Sequence, residues 1–423
     1  MKQSITRRDL LKISGGGILG MMLSPLPWKL LDDSAIWTQN WERTPKLSHG
    51  PLTIRYTNCA LCNAGCGMTL KCVDGRPYYV SGVQKHPFTG GALCARGIAG
   101  HQMANHPLRI VHPHTFTGPT EAGQMKALPR SEAIKTIADK IRSSKGSIVI
   151  LDQQPNRVLT SVCQDFLAQT TNGILVTSPA SENRTADVLK NMVNDPTVEF
   201  GYDFEHTTMV ISFSAPLFDG WGIPGRMSSL RTAGTVKFIQ IEDRRSRTAM
   251  QSDEWISIVP GMERYLALSI ANVLLREQLI VRSQLRSIID LSAFKNSAEE
   301  FTPEATAPFT GVPAERVRML ARELASARSS IILSGADAGG GPFDDETERL
   351  IASLNVLLGN VGRTGGIVSR RPIPGTSSTG KISSWSSIPD HSIEVLIIDA
   401  ADSGNALPWK LLEQKLVEKN RCV

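Results

Sequence analysis

Residues 59–66 read CALCNAGC and place three cysteines in the spacing C-x2-C-x3-C. A fourth, Cys94, follows in the turn-like stretch GGALCARG at residues 90–97. Four thiolates complete the coordination of a 4Fe–4S cluster, in which each iron takes one protein ligand. Four thiolates also bind structural zinc, although zinc ligands usually come as two close pairs. The three-plus-one spacing therefore favours an iron–sulfur cluster and leaves zinc as the alternative.

The N-terminus carries the second informative pattern. The residues TRRDLLK at 6–12 precede an apolar, glycine-rich run from Ile13 to Leu23. Paired arginines before a short apolar segment are typical of a twin-arginine export signal. The run is shorter than the about 20 apolar residues that a membrane span needs. We therefore expect a periplasmic redox protein whose signal is either cleaved or kept as an anchor, with a disordered basic tail as the alternative.

Composition indicates a soluble globular protein of two or three domains. The 423 residues are 41% hydrophobic, which is enough to fill sizeable cores. The net charge is +6, and no long Lys/Arg run occurs beyond the signal, so nucleic-acid binding is not indicated. Cys72, Cys163 and Cys422 are scattered singly. Cys72 falls on a predicted hairpin strand and Cys163 on an apolar helix, so we rank both below the four clustered cysteines.

Motifs and changes in composition divide the chain into five segments. We predict a signal at 1–31, a linker at 32–51, a 4Fe–4S domain at 52–112, an α/β dinucleotide-type region at 113–329 and an incomplete second α/β region at 330–423. From about residue 130, short apolar strands alternate with helices of 3.6-residue periodicity. This alternation predicts α/β domains with doubly wound parallel sheets.

The predicted elements of these regions are short strands and amphipathic helices. The strands are Ser147–Leu151, Ile174–Thr177, Met209–Phe213, Val236–Ile241, Ser330–Ser334 and Glu394–Asp399. The clearest helices are Arg264–Glu277, Ala314–Ala325 and Asp344–Leu358.

Several motifs resemble those of one family. They are KHPFTGGALCARG at 85–97, NHPLR at 105–109, EDRRSRTA at 242–249, PGME at 260–263 and LLGNVGRTGG at 357–366. Together with the four cysteines, they resemble the molybdopterin-dependent oxidoreductases of the DMSO reductase or formate dehydrogenase type. The stretch VISFSAPLFDGWG at 210–222 is similar to the large subunits of menaquinone reductase and alternative complex III.

The resemblance implies roles for the cluster segment. It implies a 4Fe–4S cluster on Cys59, Cys62, Cys66 and Cys94, and an electron relay through Arg96, two positions after the last cysteine. A guanidinium beside a net-negative cluster is electrostatically favourable. An ordinary surface or helix-capping arginine is the alternative.

The resemblance also implies molybdopterin guanine dinucleotide. Glu242 and Glu263 stand where the family more often has Asp, and an acidic residue at a strand end binds the sugar or base of a dinucleotide. Gly335 opens a glycine run that could approach a phosphate closely. Solvated surface carboxylates and a plain flexible loop are the alternatives.

The molybdenum or tungsten ligand departs from the family pattern. The corresponding loop, TSPASENR at 177–184, has no cysteine, which leaves Ser178 or Ser181 as a ligand or as a turn residue. The chain also stops at Val423, where residues 420–423 would begin a strand, without the family's C-terminal β-barrel. We expect a fragment, half of a split gene or a subunit completed by a partner.

We therefore expect an electron-transferring oxidoreductase subunit with one 4Fe–4S cluster in a periplasm-facing, quinone-linked respiratory complex. The partners that the resemblance implies are iron–sulfur or cytochrome c subunits and a quinone-binding membrane subunit. The alternative is a catalytic molybdenum or tungsten reductase or dehydrogenase acting on polysulfide, thiosulfate, tetrathionate or formate. A non-redox scaffold that holds zinc is a third hypothesis.

Overall fold

The structure is a computed structural model, and it describes most of the chain. The described residues are 6–23, 50–62, 64–117, 124–153, 157–177, 184–193, 198–281, 291–335, 343–370, 382–383, 385–399 and 409–417. Several features of the sequence lie outside them. These are linker residues 32–49, the candidate ligand loop at 178–183, the glycine run at 336–341, and residues 420–423 with Cys422.

The chain divides into two compact units, residues 1–53 with 72–76, and residues 54–71 with 77–423. The first unit contains the helix α1, Arg7–Leu23, which is exposed along its whole length. Thr6 and Asp9 cap its start reciprocally, because the Asp9 amide donates to Thr6 Oγ1 (3.3 Å) and the Thr6 amide donates to Asp9 Oδ2 (3.2 Å). Among the described residues, no helix has both the length and the apolar character needed to cross a membrane.

The described strands are numbered in chain order. They are β1 Leu52–Asn58, β2 Gly67–Val73, β3 Arg76–Gly82, β4 His114–Thr117, β5 Gln124–Ala127, β6 Ser147–Asp152, β7 Gly173–Thr177, β8 Glu199–Tyr202, β9 Met209–Phe213, β10 Lys237–Glu242, β11 Glu254–Ser257, β12 Ser330–Ser334, β13 Ile367–Arg370, β14 Ile382–Ser383 and β15 Ile393–Asp399.

The described helices follow the same convention. After α1 they are α2 Ala95–Ala99, α3 Arg130–Ser143, α4 Val158–Ala168, α5 Arg184–Val193, α6 Pro224–Ala233, α7 Arg247–Gln251, α8 Glu263–Arg276, α9 Leu291–Glu299, α10 Pro303–Thr310, α11 Ala314–Ser326, α12 Asp345–Leu357 and α13 Trp409–Glu413. Short 3-10 helices occupy Gly100–Asn105 and Trp385–Ser387.

The two larger sheets confirm the predicted fold class. One has the order β14-β7-β6-β15 and the other β11-β10-β9-β12, and every neighbouring pair in them is parallel. Each predicted strand is present to within one residue at either end. Strands β9 and β12 are buried at every position, as expected for parallel strands covered by helices on both faces. Helix α8 packs against them with ten buried residues.

The sheets do not follow the boundary predicted at residue 330. Strand β12 begins there but pairs with β9, whereas β15 returns to pair with β6 near the start of the α/β region. The second sheet is therefore inserted, in sequence, between strands of the first. Local periodicity does not reveal this arrangement, because it reports the type of an element and not its partner.

The cysteine-containing segment forms a small three-stranded sheet in the order β1-β2-β3. The predicted hairpin between β2 and β3 is confirmed, with Asp74 (φ 49°) and Gly75 (φ 73°) both in the left-handed region. That conformation is the one a two-residue hairpin turn requires. Cys72 is buried on β2 with 1% exposure.

Candidate functional site

The first three cysteines lie on the loop that joins β1 to β2. The Cys59 amide donates a hydrogen bond to the Cys66 carbonyl (2.8 Å), which closes the loop on itself. Cys59 and Cys66 are buried, and Cys62 is half-buried between them. The close spacing in sequence therefore produces a compact loop with three thiols.

The fourth cysteine caps a helix. Cys94 is the N-cap residue of α2, and its Sγ accepts a hydrogen bond from the Gly97 amide (3.4 Å). A side chain at Gly97 would place its Cβ 3.9 Å from the Sγ atoms of both Cys59 and Cys94. Gly97 therefore lies against two of the four sulfurs.

One cavity collects the four sulfurs. Its lining consists of the four cysteines together with Leu61, Leu93, Arg96, Gly97 and Gly220. The four thiols form no disulfide. Within the described part of the chain, no three His, Cys, Asp or Glu side chains are grouped so as to hold one metal ion.

Burial disfavours the ionisation of three of these thiols. Burial is the main cause that raises the pKa of Cys62 to about 12 and that of Cys66 to about 11, and neighbouring thiols add to both shifts. Burial also raises the pKa of Cys59. Since only the thiolate ligates metal, a bound metal group would offset this cost by supplying positive charge. These thiols are not grouped around a single ion, but a 4Fe–4S cluster takes one thiolate per iron, so four sulfur donors around one cavity fit such a cluster, which Cys59, Cys62, Cys66 and Cys94 would hold.

Arg96 lies at the wall of this cavity. Its charge partly offsets the burial that raises the pKa of Cys59. Its Nε lies 4.0 Å from Asp219 Oδ1, and its side chain is 38% exposed. The helix-capping alternative for Arg96 is wrong, because Cys94 caps α2. The guanidinium is placed where it can act on the cavity electrostatically.

Glu242 ends β10 and is 2% exposed. Its Oε1 accepts from the Ser246 amide (3.1 Å) and its Oε2 accepts from Gln240 Nε2 (3.0 Å). The surface-carboxylate alternative is therefore wrong for Glu242. The carboxylate fixes the turn that leads into α7, at the carboxyl edge of the parallel sheet where α/β folds bind dinucleotides.

Glu263 begins α8 and is 6% exposed, so the surface alternative is wrong for this residue as well. Burial raises its pKa, and the nearby Asp243 carboxylate adds to that rise. Burial and a neighbouring carboxylate both favour the neutral form of a carboxyl group, which can donate as well as accept a hydrogen bond. The structure thus brings Glu263 close to the residue that follows Glu242.

Gly335 does not have the geometry expected of a phosphate-binding glycine. Its amide donates to the Phe213 carbonyl (3.0 Å), so that donor is used within the fold. A Cβ at Gly335 would lie 2.6 Å from the Cα of Ala215. Close packing of two chain segments explains the glycine, and the predicted phosphate contact gains no support from the described residues.

Sequence reasoning missed Asp219, Gly220 and Gly225. Asp219 and Gly220 lie beside Arg96, and a Cβ at Gly225 would lie 2.8 Å from the carbonyl carbon of Ala92. The only signal available was the resemblance of the stretch 210–222, which suggested a subfamily but no role for these residues. Their proximity to the cysteines depends on tertiary packing.

The comparisons with known proteins agree with this site. Residues 52–106 match the family described as molybdopterin oxidoreductase Fe4S4 domain. The chain is similar to the menaquinone reductase molybdopterin-binding-like subunit of Nitratidesulfovibrio vulgaris, at 29% identity over 88% of this chain and 54% of that protein. It is also similar to the thiosulfate reductase molybdopterin-containing subunit of Salmonella typhimurium, at 27% identity over 87% of this chain and 48% of that protein.

A solved structure shares the fold. Acetylene hydratase from Pelobacter acetylenicus superimposes with a TM-score of 0.56 at 17% identity, over 74% of this chain and 44% of that chain. The chain spans about half the length of the curated relatives it matches.

Proposed function

We propose that the chain is an electron-transferring oxidoreductase subunit of the molybdopterin family carrying one 4Fe–4S cluster, a proposal supported by the match of residues 52–106 to the Fe4S4 domain and by the similarity to the two curated relatives. We propose further that it works in a quinone-linked respiratory complex facing the periplasm. The observation that carries the proposal is the single cavity lined by Cys59, Cys62, Cys66 and Cys94. When bound, a 4Fe–4S cluster accepts and passes on single electrons.

The residues of this chain have defined parts in that proposal. The four thiols hold the cluster, and the closed loop at residues 59–66 and the start of α2 fix their positions. Leu61 and Leu93 contribute apolar surface to the lining. Arg96 places a positive charge at the wall, which favours arrival of an electron at a net-negative cluster.

The name of one relative and the pattern of the N-terminal sequence support the proposed membership in a periplasm-facing respiratory complex. One relative is named as a subunit of menaquinone reductase, an activity that implies a quinone. The paired arginines Arg7 and Arg8 begin an apolar helix, which fits a twin-arginine signal and therefore a periplasmic location. The proposed partners are an iron–sulfur or cytochrome c subunit and a quinone-binding membrane subunit, and no nucleic acid.

A catalytic role is the second candidate. Another relative is named as a molybdopterin-containing subunit of thiosulfate reductase. The buried Glu242 and Glu263 at one sheet edge fit the dinucleotide half of molybdopterin guanine dinucleotide. In this candidate, molybdenum or tungsten on the pterin would supply oxo or hydride transfer to a small substrate such as polysulfide, thiosulfate, tetrathionate or formate.

Elemental analysis of the native complex separates the candidates. Iron, molybdenum, tungsten and zinc are counted per chain in the protein purified anaerobically with its partners. About four irons without molybdenum or tungsten support the electron-relay proposal. Stoichiometric molybdenum or tungsten replaces it with the catalytic candidate. Zinc without iron rejects both candidates.

A further inference from the structure

The segment that follows β9 approaches the cluster cavity from the α/β region. Gly220 in this segment lines the cavity together with the four cysteines. A Cβ at Gly220 would lie 2.5 Å from Arg96 Nη1, so the guanidinium occupies the space that a side chain would fill. The φ angle of Gly220 is 105°, a backbone conformation that favours glycine.

Asp219 places a negatively charged carboxylate beside the Arg96 guanidinium. Its Oδ1 lies 4.0 Å from Arg96 Nε and accepts a hydrogen bond from Arg247 Nη1 (3.3 Å). One carboxylate is therefore shared by two guanidinium groups. Arg247 is the first residue of α7, which follows the turn organised by Glu242.

Hydrogen bonds within the segment and buried aromatic side chains hold the segment that follows β9 in place. Ser212 Oγ accepts from the Ala215 amide (3.0 Å) and donates to the Ala215 carbonyl (3.1 Å). The Asp219 amide donates to the Pro216 carbonyl (2.8 Å), and the flanking Phe218 and Trp221 are each 2% exposed. Buried aromatic anchors on both sides of Asp219 and Gly220 restrict the positions the pair can take.

A second close contact joins this segment to the backbone just before Cys94. A Cβ at Gly225, at the start of α6, would lie 2.8 Å from the carbonyl carbon of Ala92 and 2.9 Å from the amide nitrogen of Leu93. The backbone just before Cys94 therefore lies directly on the backbone that follows Gly220. The segment that carries Cys94 and the segment that carries Asp219 therefore contact each other at two places, Gly220 with Arg96 and Gly225 with Ala92.

We infer, on the basis of the proposed function, that Asp219 and Gly220 are positioning residues that hold the Arg96 guanidinium at the cluster cavity and thereby set the reduction potential of the cluster. An arginine side chain has many rotamers and stays beside a cavity only when its surroundings select one. A nearby positive charge stabilises the reduced, more negative cluster and raises its potential. Displacing the guanidinium lowers that potential.

The first test compares two neighbouring glycines with positive φ, 105° at Gly220 and 54° at Gly222. Gly220 and Gly222 both have positive φ, but a Cβ at Gly222 meets nothing within 4 Å. The full chain, purified with its partners, is titrated with reductant while the EPR signal of the reduced cluster is recorded. Gly220→Ala should make cluster reduction about tenfold less favourable, a fall of about 59 mV for a one-electron couple. Gly222→Ala should leave the potential unchanged, and equal shifts in the two variants would overturn the inference.

The second test asks whether Asp219 acts through Arg96. Asp219→Asn is measured alone and in an Arg96→Met background, as a double-mutant cycle. A positioning residue shifts the potential only while Arg96 is present. A shift of the same size in both backgrounds shows that the Asp219 charge acts directly on the cluster and overturns the inference.

Different results would reject the positioning role and the proposed electron-transfer function. A wild-type protein with four irons and a reduced-cluster EPR signal, but with no coupling between Asp219 and Arg96, rejects the positioning role alone. A wild-type protein without iron and without that signal rejects the proposed function together with the inference. Because Asp219→Asn conserves side-chain volume, it keeps the test informative if Gly220→Ala does not fold.

Discussion

The Gly97 amide donates its hydrogen bond to Cys94 Sγ at 3.4 Å, so the fourth cysteine serves as the N-cap of α2 as well as a wall of the cavity. Hydrogen bonds to cluster sulfurs are among the interactions that tune the reduction potential of iron–sulfur proteins. A Cβ at the same glycine would contact the Sγ atoms of both Cys59 and Cys94. Capping of the helix and lining of the cavity therefore depend on one short segment.

Gly97→Leu should abolish cluster incorporation. A Cβ at this position lies 3.9 Å from two sulfurs, and the longer leucine side chain would enter the space between them. Iron content and the visible absorption of the purified protein measure the effect. Ala99→Leu is the matched control, because Ala99 lies on the same helix with an exposed side chain. Normal iron content in Gly97→Leu would contradict the proposed cavity.

Cys62→Ser should remove the low-temperature EPR signal of the reduced cluster, because a hydroxyl does not replace the thiolate ligand of iron. Cys72→Ser should leave that signal in place, since Cys72 does not line the cavity although it is buried. A retained signal in the first variant, or a lost signal in the second, would require a different set of ligands.

Glu242→Ala should destabilise the second sheet by roughly 1–3 kcal/mol, because the Ser246 amide loses its acceptor and Gln240 loses one of its two hydrogen bonds. Urea unfolding measures the change in the free energy of unfolding. Arg245→Ala is the control, as its side chain is exposed and lies three residues further along the chain. If both variants unfold at the same urea concentration, the buried carboxylate has no structural role.

Glu348 should make folding stability depend on pH. The residue is fully buried on α12, where Ser334 Oγ donates to its Oε2, and burial raises its pKa to about 7 although Arg184 partly opposes the shift. Between the ordinary value of about 4.3 and this raised value, the folded state binds more protons than the unfolded state. Its contribution is therefore present in full at low pH and is lost as the pH rises to about 7, by up to ~3 kcal/mol.

Glu348→Gln tests this expectation, because glutamine keeps the acceptor for Ser334 but does not titrate. The variant should gain stability relative to the wild type as the pH is raised from 5 to 8, measured by urea unfolding at each pH. Glu346→Gln on the same helix is the control, since the Glu346 side chain is 65% exposed. A pH dependence that is identical in wild type and Glu348→Gln would refute the role of this carboxyl group.

Local patterns in the sequence predicted a large part of the fold. The strand Met209–Phe213 was predicted at its observed ends, and α12 was predicted to within one residue at either end. Apolar runs and 3.6-residue periodicity depend on neighbours along the chain, so they are available without a structure. Sheet membership is different. β12 pairs with β9 across more than a hundred residues, and β15 pairs with β6 across more than two hundred.

The features of the candidate site also fall into those that the sequence identified and those that only the structure revealed. The four cysteines were identified from their spacing, and Arg96 from its position after Cys94. The phosphate contact expected of Gly335 stays a prediction, and the packing of this glycine against Ala215 was not visible in a glycine run. The burial of Glu242 and Glu263 was equally hidden, since the charge of a residue does not reveal what surrounds it.

The sequence by itself determined the type of the main elements, the resemblance of the chain to one family and the four candidate thiols, because each of these depends on short-range spacing. Only the tertiary structure decided that one cavity collects the thiols, that Arg96 forms part of its wall and that Asp219 and Gly220 lie against that arginine. The physical reason is that Asp219 and Arg96 are far apart along the chain. Their proximity follows from backbone packing at Gly225 and from the buried residues Phe218 and Trp221, which only the folded chain assembles.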